Sequence, residues 1–122
     1  MVAFHQTVDA TAQLRRVESR LRAVATRTPD ERLGEIALHG IDAGGRRLRP
    51  ALVLSAAIAV GGHDAVTDRV VDAAAAVELL HLASLYHDDV LDSAPLRRGR
   101  PSVNALWGNH AAVLGGDVLL SH

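Results

Sequence analysis

Leu14, Val17, Leu21 and Val24 recur at spacings of three and four within segment 7–27, with Val8 upstream and Arg15, Arg16, Glu18, Arg20 and Arg22 on the other faces. This is the pattern of an amphipathic helix. Thr28-Pro29-Asp30 interrupts it, and Pro29 and Asp30 suit the start of a second, short helix reaching about His39. A break is expected from Gly40 to Gly45. Pro50 then stands in the first turn of an almost wholly apolar run, Ala51 to Val60, which predicts a buried helix closed by Gly61-Gly62. The longest pattern begins near Thr67 and passes Asp89 without a Gly or Pro before Pro95; Val70, Val71, Ala73 to Val77, Leu79, Leu80, Leu82 and Leu85 give it helical character. Pro95 to Pro101 is expected to be a basic loop. Helical stretches over 102–106 and 109–120 follow, interrupted at Gly108 and at Gly115-Gly116. No internal repeat, low-complexity tail or linker is visible.

Composition supports an all-α reading. Of 122 residues, 48% are apolar but only 2% aromatic, so alanine, valine and leucine carry the hydrophobic content. A β-sandwich normally draws on aromatic and β-branched residues. All 13 basic residues are arginine, and against 14 acidic residues they leave a formal net charge of −1, so no nucleic-acid surface follows from charge balance. The absence of cysteine excludes a disulfide framework, a thiolate metal site and a cysteine nucleophile. The N-terminus lacks the basic stretch and apolar core of a signal peptide, and no apolar run is long enough for a transmembrane segment. The expectation is one soluble, cytoplasmic helical domain.

The anomaly in this pattern is Asp88-Asp89-Val90-Leu91-Asp92, at the C-terminal end of the long apolar helix. Aspartate is a poor helix former, it faces the negative end of the helix dipole there, and the three repel one another. At about 100° per residue, Asp88 and Asp92 share one face a turn apart, His81 falls within about 20° of the same line, and Asp89 points away. Magnesium typically takes one or two carboxylates together with substrate phosphates, and metal binding would turn this repulsion into attraction. The bland alternative is a solvated helix end that happens to be acidic. Two arginine clusters change the balance: Gly44-Gly45-Arg46-Arg47-Leu48-Arg49-Pro50 and Pro95-Leu96-Arg97-Arg98-Gly99-Arg100-Pro101. Guanidinium groups bind phosphate oxygens in pairs, and glycines let backbone approach an anion. Each cluster alone reads as a solvated turn. With the acid pair they describe metal and cationic groups converging on diphosphate.

These residues, in this order, resemble the trans-isoprenyl diphosphate synthases, the polyprenyl synthetase family. Gly44 to Pro50 looks like the family's GGKRxRP motif, Glu78 to Asp92 like its first aspartate-rich region, and Arg97-Arg98-Gly99 like the RRG that follows; the match runs from about Asp30 to the end. The resemblance implies an antiparallel helical bundle of the isoprenoid synthase type, with residues 1–122 forming the N-terminal part, roughly the first half, of a single domain. It implies condensation of an allylic prenyl diphosphate with isopentenyl diphosphate, assisted by Mg2+ or Mn2+. Asp88 and Asp92 would be the direct metal ligands, with Asp89 behind them. Arg97 would contact the allylic diphosphate, and Arg46, Arg49, His81 and Arg98 would hold isopentenyl diphosphate. In this family, side chains four and five positions before the first aspartate govern product length; Ser84 and Ala83 are small, which suggests a product of twenty carbons or longer. His87 lies off the acidic face and is read as structural, and His5, His39, His63, His110 and His122 as facing solvent.

Two departures stand out. Arg46 replaces the family's usual lysine, and because lysine is absent from the whole chain, compositional bias accounts for it. The family's second aspartate-rich motif is also absent: Asp64, Asp68 and Asp72 form a spaced face without its surroundings. The isolated chain is therefore expected to bind metal and diphosphate weakly and to turn over little; condensation of labelled isopentenyl diphosphate by the purified chain would overturn this. The full-length form is expected to be a homodimer. Two alternatives remain: a non-catalytic subunit pairing with another helical chain, and a class I terpene cyclase fragment, against which the isopentenyl-binding motifs argue.

Overall fold

The computed structural model describes residues 10–121, so expectations for residues 7–9, His5 and His122 fall outside the described residues. Six α-helices are present among them: α1 (Thr11–Arg27), α2 (Glu31–Asp42), α3 (Leu48–Gly61), α4 (Asp68–Leu91), α5 (Val103–Trp107) and α6 (Asn109–Ser121). A single 3-10 turn, His63–Ala65, precedes α4, and two short strands, β1 (Leu96–Arg97) and β2 (Arg100–Pro101), follow it. The chain divides into two compact units, Met1–Arg20 with Arg46–Glu78 and Leu21–Gly45 with Leu79–His122. Helices α1 and α4 each contribute to both. Among the described residues no helix is long and apolar enough to cross a membrane.

In the first unit, Val17, Leu54, Ile58, Val66, Val71, Ala74 and Ala75 are buried. Helix α3 corrects the expectation of burial all round. Only Pro50, Leu54 and Ile58, spaced four apart, are enclosed, whereas Leu52 is 61% exposed and Val60 92%. Within this unit α3 packs along one edge. Two arginines on the polar faces of α1 are ion-paired: Arg16 Nη2 lies 2.8 Å from Asp68 Oδ1 and Arg20 Nε 2.8 Å from Asp72 Oδ1. These exposed pairs are each worth about 1 kcal/mol or less, but they account for the spaced aspartates on α4 without a metal.

In the second unit, Asp30 caps α2 by accepting hydrogen bonds from the backbone N–H groups of Arg32 (2.8 Å) and Leu33 (3.2 Å). The helix does not break at Gly40 but runs on to Asp42. Gly40 is there because Tyr86 presses against it; a Cβ at this position would overlap the Tyr86 ring. Likewise α6 runs unbroken through Gly115 and Gly116, where added Cβ atoms would meet Ile36 and Tyr86, and His87, respectively. Expected interruptions are thus close-packing positions.

Tyr86 joins α4 to α2. Its hydroxyl accepts from the Gly40 N–H at 2.8 Å and donates to the Ile36 carbonyl, the i and i+4 groups of one helical turn. Burial pushes the phenol's pKa up, opposed by the Gly40 hydrogen bond. A raised folded-state pKa means that the contribution to stability is complete below the ordinary tyrosine value of 10.0 and is lost as pH climbs toward the folded value. Tyr86→Phe is expected to cost about 1–3 kcal/mol at neutral pH and to reduce the alkaline decline, as urea unfolding at a series of pH values would show.

Candidate functional site

Helix α4 delivers the acidic residues to its own C-terminus. The Asp92 N–H donates to the Asp88 carbonyl at 2.8 Å, so the two residues stand one turn apart, and both are exposed. The chain turns at Ser93, which has φ 52°, and the Ala94 N–H closes on the Asp89 carbonyl at 2.9 Å. Asp89 points inward, 4% exposed. Arg97 grips it with Nε 3.1 and 2.9 Å from its two carboxylate oxygens and Nη2 2.6 Å from Oδ1. This fork supplies the countercharge for a helix end that would otherwise hold three carboxylates. The Arg97 pKa is raised, chiefly by the hydrogen bond to Asp89 and against partial desolvation, with the charges of Asp89, Asp88 and Asp92 adding to the rise.

Arg97 comes from β1, and the expected basic loop is a hairpin: Leu96 pairs with Pro101 and Arg97 with Arg100. Its two turn residues, Arg98 and Gly99, have φ of 53° and 77°, as the favoured two-residue hairpin turn requires. Arg98 is exposed, and its guanidinium lies over Gly45, where a Cβ would come within 3.3 Å. The last glycine of one sequence motif therefore makes room for the second arginine of the other. The hairpin is tied down at its base by Ser102 Oγ and Asn104 Nδ2, which donate to the Ala94 carbonyl at 2.6 and 3.0 Å.

His39 also holds the hairpin, which corrects its assignment to solvent. It is half-buried, with Nε2 2.9 Å from the Pro101 carbonyl and its ring edge-on to Trp107 at 5.3 Å. His63 and His110 are exposed. His87 lies against Gly116, with Nε2 3.2 Å from the Val113 carbonyl and 3.4 Å from Asp117 Oδ1. His81 is half-buried on α4. Of the two small residues before the acidic pair, Ala83 is fully enclosed, while Ser84 is exposed and donates its hydroxyl to the Leu80 carbonyl at 3.0 Å.

In the first unit the arginines of the glycine-rich motif separate. Arg46 and Arg49 are exposed, and Arg47 between them is buried. Arg47 sits at the N-cap of α3 in the left-handed region, φ 51°. Its Nε lies 2.5 Å from Glu18 Oε1 and its Nη1 2.8 Å from Glu78 Oε2. Burial lowers the Arg47 pKa, but the hydrogen bonds and charges of Glu18 and Glu78 outweigh it, and the net shift is upward. Sequence reasoning missed this triad by treating the motif's arginines as one anion-facing group. The available signal was Glu78, an acidic residue within an otherwise apolar stretch of α4 that needs a cation if buried.

Among the described residues no group of three or more His, Cys, Asp or Glu side chains converges on one point. Asp88 and Asp92 offer exposed carboxylates one turn apart, while Asp89 between them is engaged by Arg97. That donor set fits a hard cation that completes its shell with water and substrate phosphate, as Mg2+ does. It does not fit an ion that needs an all-protein cage.

A family profile described as "Polyprenyl synthetase" matches residues 30–122. The chain is 48% identical over 111 residues to nonaprenyl diphosphate synthase of Mycobacterium tuberculosis, covering 90% of this chain and 32% of that protein. It is 52% identical over 89 residues to heptaprenyl diphosphate synthase component 2 of Geobacillus stearothermophilus, covering 73% of this chain and 27% of that one. Among solved structures, the polyprenyl synthase from Caulobacter crescentus CB15, complexed with calcium and isoprenyl diphosphate, superimposes with a TM-score of 0.82 at 39% identity over 92% of this chain and 33% of that chain. The chain thus spans about a third of the length of these relatives and has their all-α fold.

Proposed function

The chain belongs to the polyprenyl synthetase family, and on that premise we propose that the protein containing it transfers an allylic prenyl group to isopentenyl diphosphate. The observation that carries this is the bidentate grip of Arg97 on buried Asp89, beside exposed Asp88 and Asp92. Asp89 engages Nε and Nη2 of Arg97, which leaves Nη1 as the donor for a substrate oxygen. We assign Asp88 and Asp92 to the cation, Arg97 to the allylic diphosphate, and Arg46, Arg49, His81 and Arg98 to isopentenyl diphosphate. Mg2+, or Mn2+ in its place, would supply Lewis acidity and charge neutralisation to the leaving diphosphate when held by Asp88 and Asp92. Support comes from the donor set and from the calcium and isoprenyl diphosphate in the Caulobacter relative.

Arg97 stabilises charge as it develops on the departing oxygen, and its preorganisation by Asp89 spares that reorganisation during reaction. The allylic carbon–oxygen bond breaks, the terminal carbon of the isopentenyl double bond bonds to the allylic carbon, and a proton leaves C2 of the isopentenyl unit for the released diphosphate. Residues 1–122 are read as the N-terminal part of one catalytic domain. The small side chains of Ala83 and Ser84 favour a product of twenty carbons or longer.

Incubation of the full natural polypeptide with labelled isopentenyl diphosphate, an allylic diphosphate and Mg2+ tests the proposal. Label must pass into longer prenyl diphosphates, whose length chromatography reports. Consumption of the allylic diphosphate without isopentenyl diphosphate would indicate a cyclase instead. The "component 2" in the name of the Geobacillus relative favours a second reading, a subunit that works with another chain. Turnover by the purified polypeptide as a homodimer would exclude it.

A further inference from the structure

We infer that Arg47 is a positioning residue for the isopentenyl diphosphate site: clamped between Glu18 and Glu78, it sets the junction from which Arg46 and Arg49 project. The inference rests on the assignment of Arg46 and Arg49 to that diphosphate. Three neighbouring arginines separate by burial: Arg46 and Arg49 exposed, Arg47 buried. The left-handed backbone at Arg47 lies at the point where the chain enters α3. Its guanidinium donates to Glu18 on α1 through Nε and Nη2, at 2.5 and 3.5 Å, and to Glu78 on α4 through Nη1 at 2.8 Å. The junction is thereby pinned to two helices of the first unit. A role for Arg47 as a direct anion ligand is disfavoured by the same geometry. Its side chain is 7% exposed, and an incoming diphosphate would face two carboxylates already placed on it.

The two roles predict opposite signs. Electrostatics alone says that neutralising a carboxylate near an anion site strengthens anion binding. A clamp says that neutralising it weakens binding, because the arginines lose their fixed origin. Glu78→Gln and Glu18→Gln, made in the full natural polypeptide, are each expected to raise KM and Kd for isopentenyl diphosphate by about 10-fold or more, the scale of losing a side chain that orients a ligand. KM for the allylic diphosphate should stay within about twofold, a split that general loosening of the fold would not give. Glu18, with 38% of its side chain exposed, supplies a variant that folds even where Glu78→Gln does not, with thermal melting as the check. Arg47→Lys keeps the charge but not the fork, and should show the same split. Arg46→Gln is the reference for the underlying assignment. Crossed with Glu18→Gln it should give a non-additive loss, since both act through one contact. If Arg46→Gln weakens isopentenyl diphosphate binding while the glutamate variants tighten it or leave it unchanged, the positioning role is overturned and the assignment of Arg46 stands. If Arg46→Gln has no effect, both fall.

Discussion

Replacement of Asp88 and Asp92 together by asparagine is expected to lower prenyl transfer by at least about 10³-fold, the scale of losing preorganised charge stabilisation at a leaving group. The same change should leave the protein as stable as before or more so. Both carboxylates are exposed at the C-terminal end of α4, where negative side chains oppose the helix dipole by about 0.3–1 kcal/mol each. Loss of activity with unchanged or raised thermal stability separates a functional pair from a structural one. Asp89→Asn should behave differently. Asp89 is buried and spends its charge on Arg97, so its loss acts through the orientation of that guanidinium, at about 10–100-fold in kcat. Excess Mg2+ should partly restore Asp92→Asn, which weakens a cation site, and should do nothing for Asp89→Asn, which misaligns an arginine. Full activity in the Asp88→Asn/Asp92→Asn protein would remove the metal assignment and leave the acidic helix end as a solvated surface.

What the sequence disclosed about this site followed from local periodicity. The angular offset of Asp89 from Asp88 and Asp92 is a property of any helix, and the structure shows Asp89 inside and the other two outside. The helical fold was legible for the same reason: α4 has no internal glycine or proline to interrupt it, and Asp30 offers a side-chain cap where α2 begins. What escaped depends on partners distant in sequence. Arg47 resembles its neighbours until Glu18 and Glu78, 29 and 31 residues away, claim it. His39 carries no signal of its own; its partners Pro101 and Trp107 lie on a hairpin and a short helix that follow α4. The uniform apolarity of α3 hid which edge packs, because periodicity cannot distinguish sides when nearly every side is apolar. Glycine proved the most misleading residue. At Arg98-Gly99 it marks a turn, whereas at Gly40, Gly115 and Gly116 it marks contact, and composition alone does not distinguish the two.

The glycine contacts yield the largest expected effect on stability. Gly40→Ala would gain about 1 kcal/mol of intrinsic helix propensity, so on an exposed helix it would stabilise. In this protein the new methyl lands on the Tyr86 ring, with Cε1 2.6 Å and Cζ 2.8 Å away. Tyr86 is 4% exposed, and its hydroxyl, the atom nearest the new methyl, is hydrogen-bonded to Gly40 and Ile36, so it has no room to swing clear. Overpacking of this kind costs about 1–3 kcal/mol and occasionally more, and loss of the Tyr86 hydroxyl bonds to α2 adds about 1 kcal/mol. Set against the propensity gain, the net expectation is destabilisation of about 1–3 kcal/mol, visible as a lower urea midpoint with an unchanged slope. Gly115→Ala should follow, since its methyl meets Ile36 Cγ2 at 2.5 Å and the other edge of Tyr86 at 3.3 Å. Gly116→Ala should cost least, because His87 is half-buried and held by only long hydrogen-bond contacts, leaving it free to rotate away. The ranking carries a functional consequence, as Tyr86 lies two residues before Asp88 on α4. If Gly40→Ala displaces Tyr86, the end of α4 moves with it and kcat should fall. Tyr86→Leu, which removes the ring, should recover part of the stability in the Gly40→Ala background, whereas Tyr86→Phe, which keeps the ring, should not. Recovery by Tyr86→Phe would mean that the hydroxyl rather than the ring sets the spacing between the two helices.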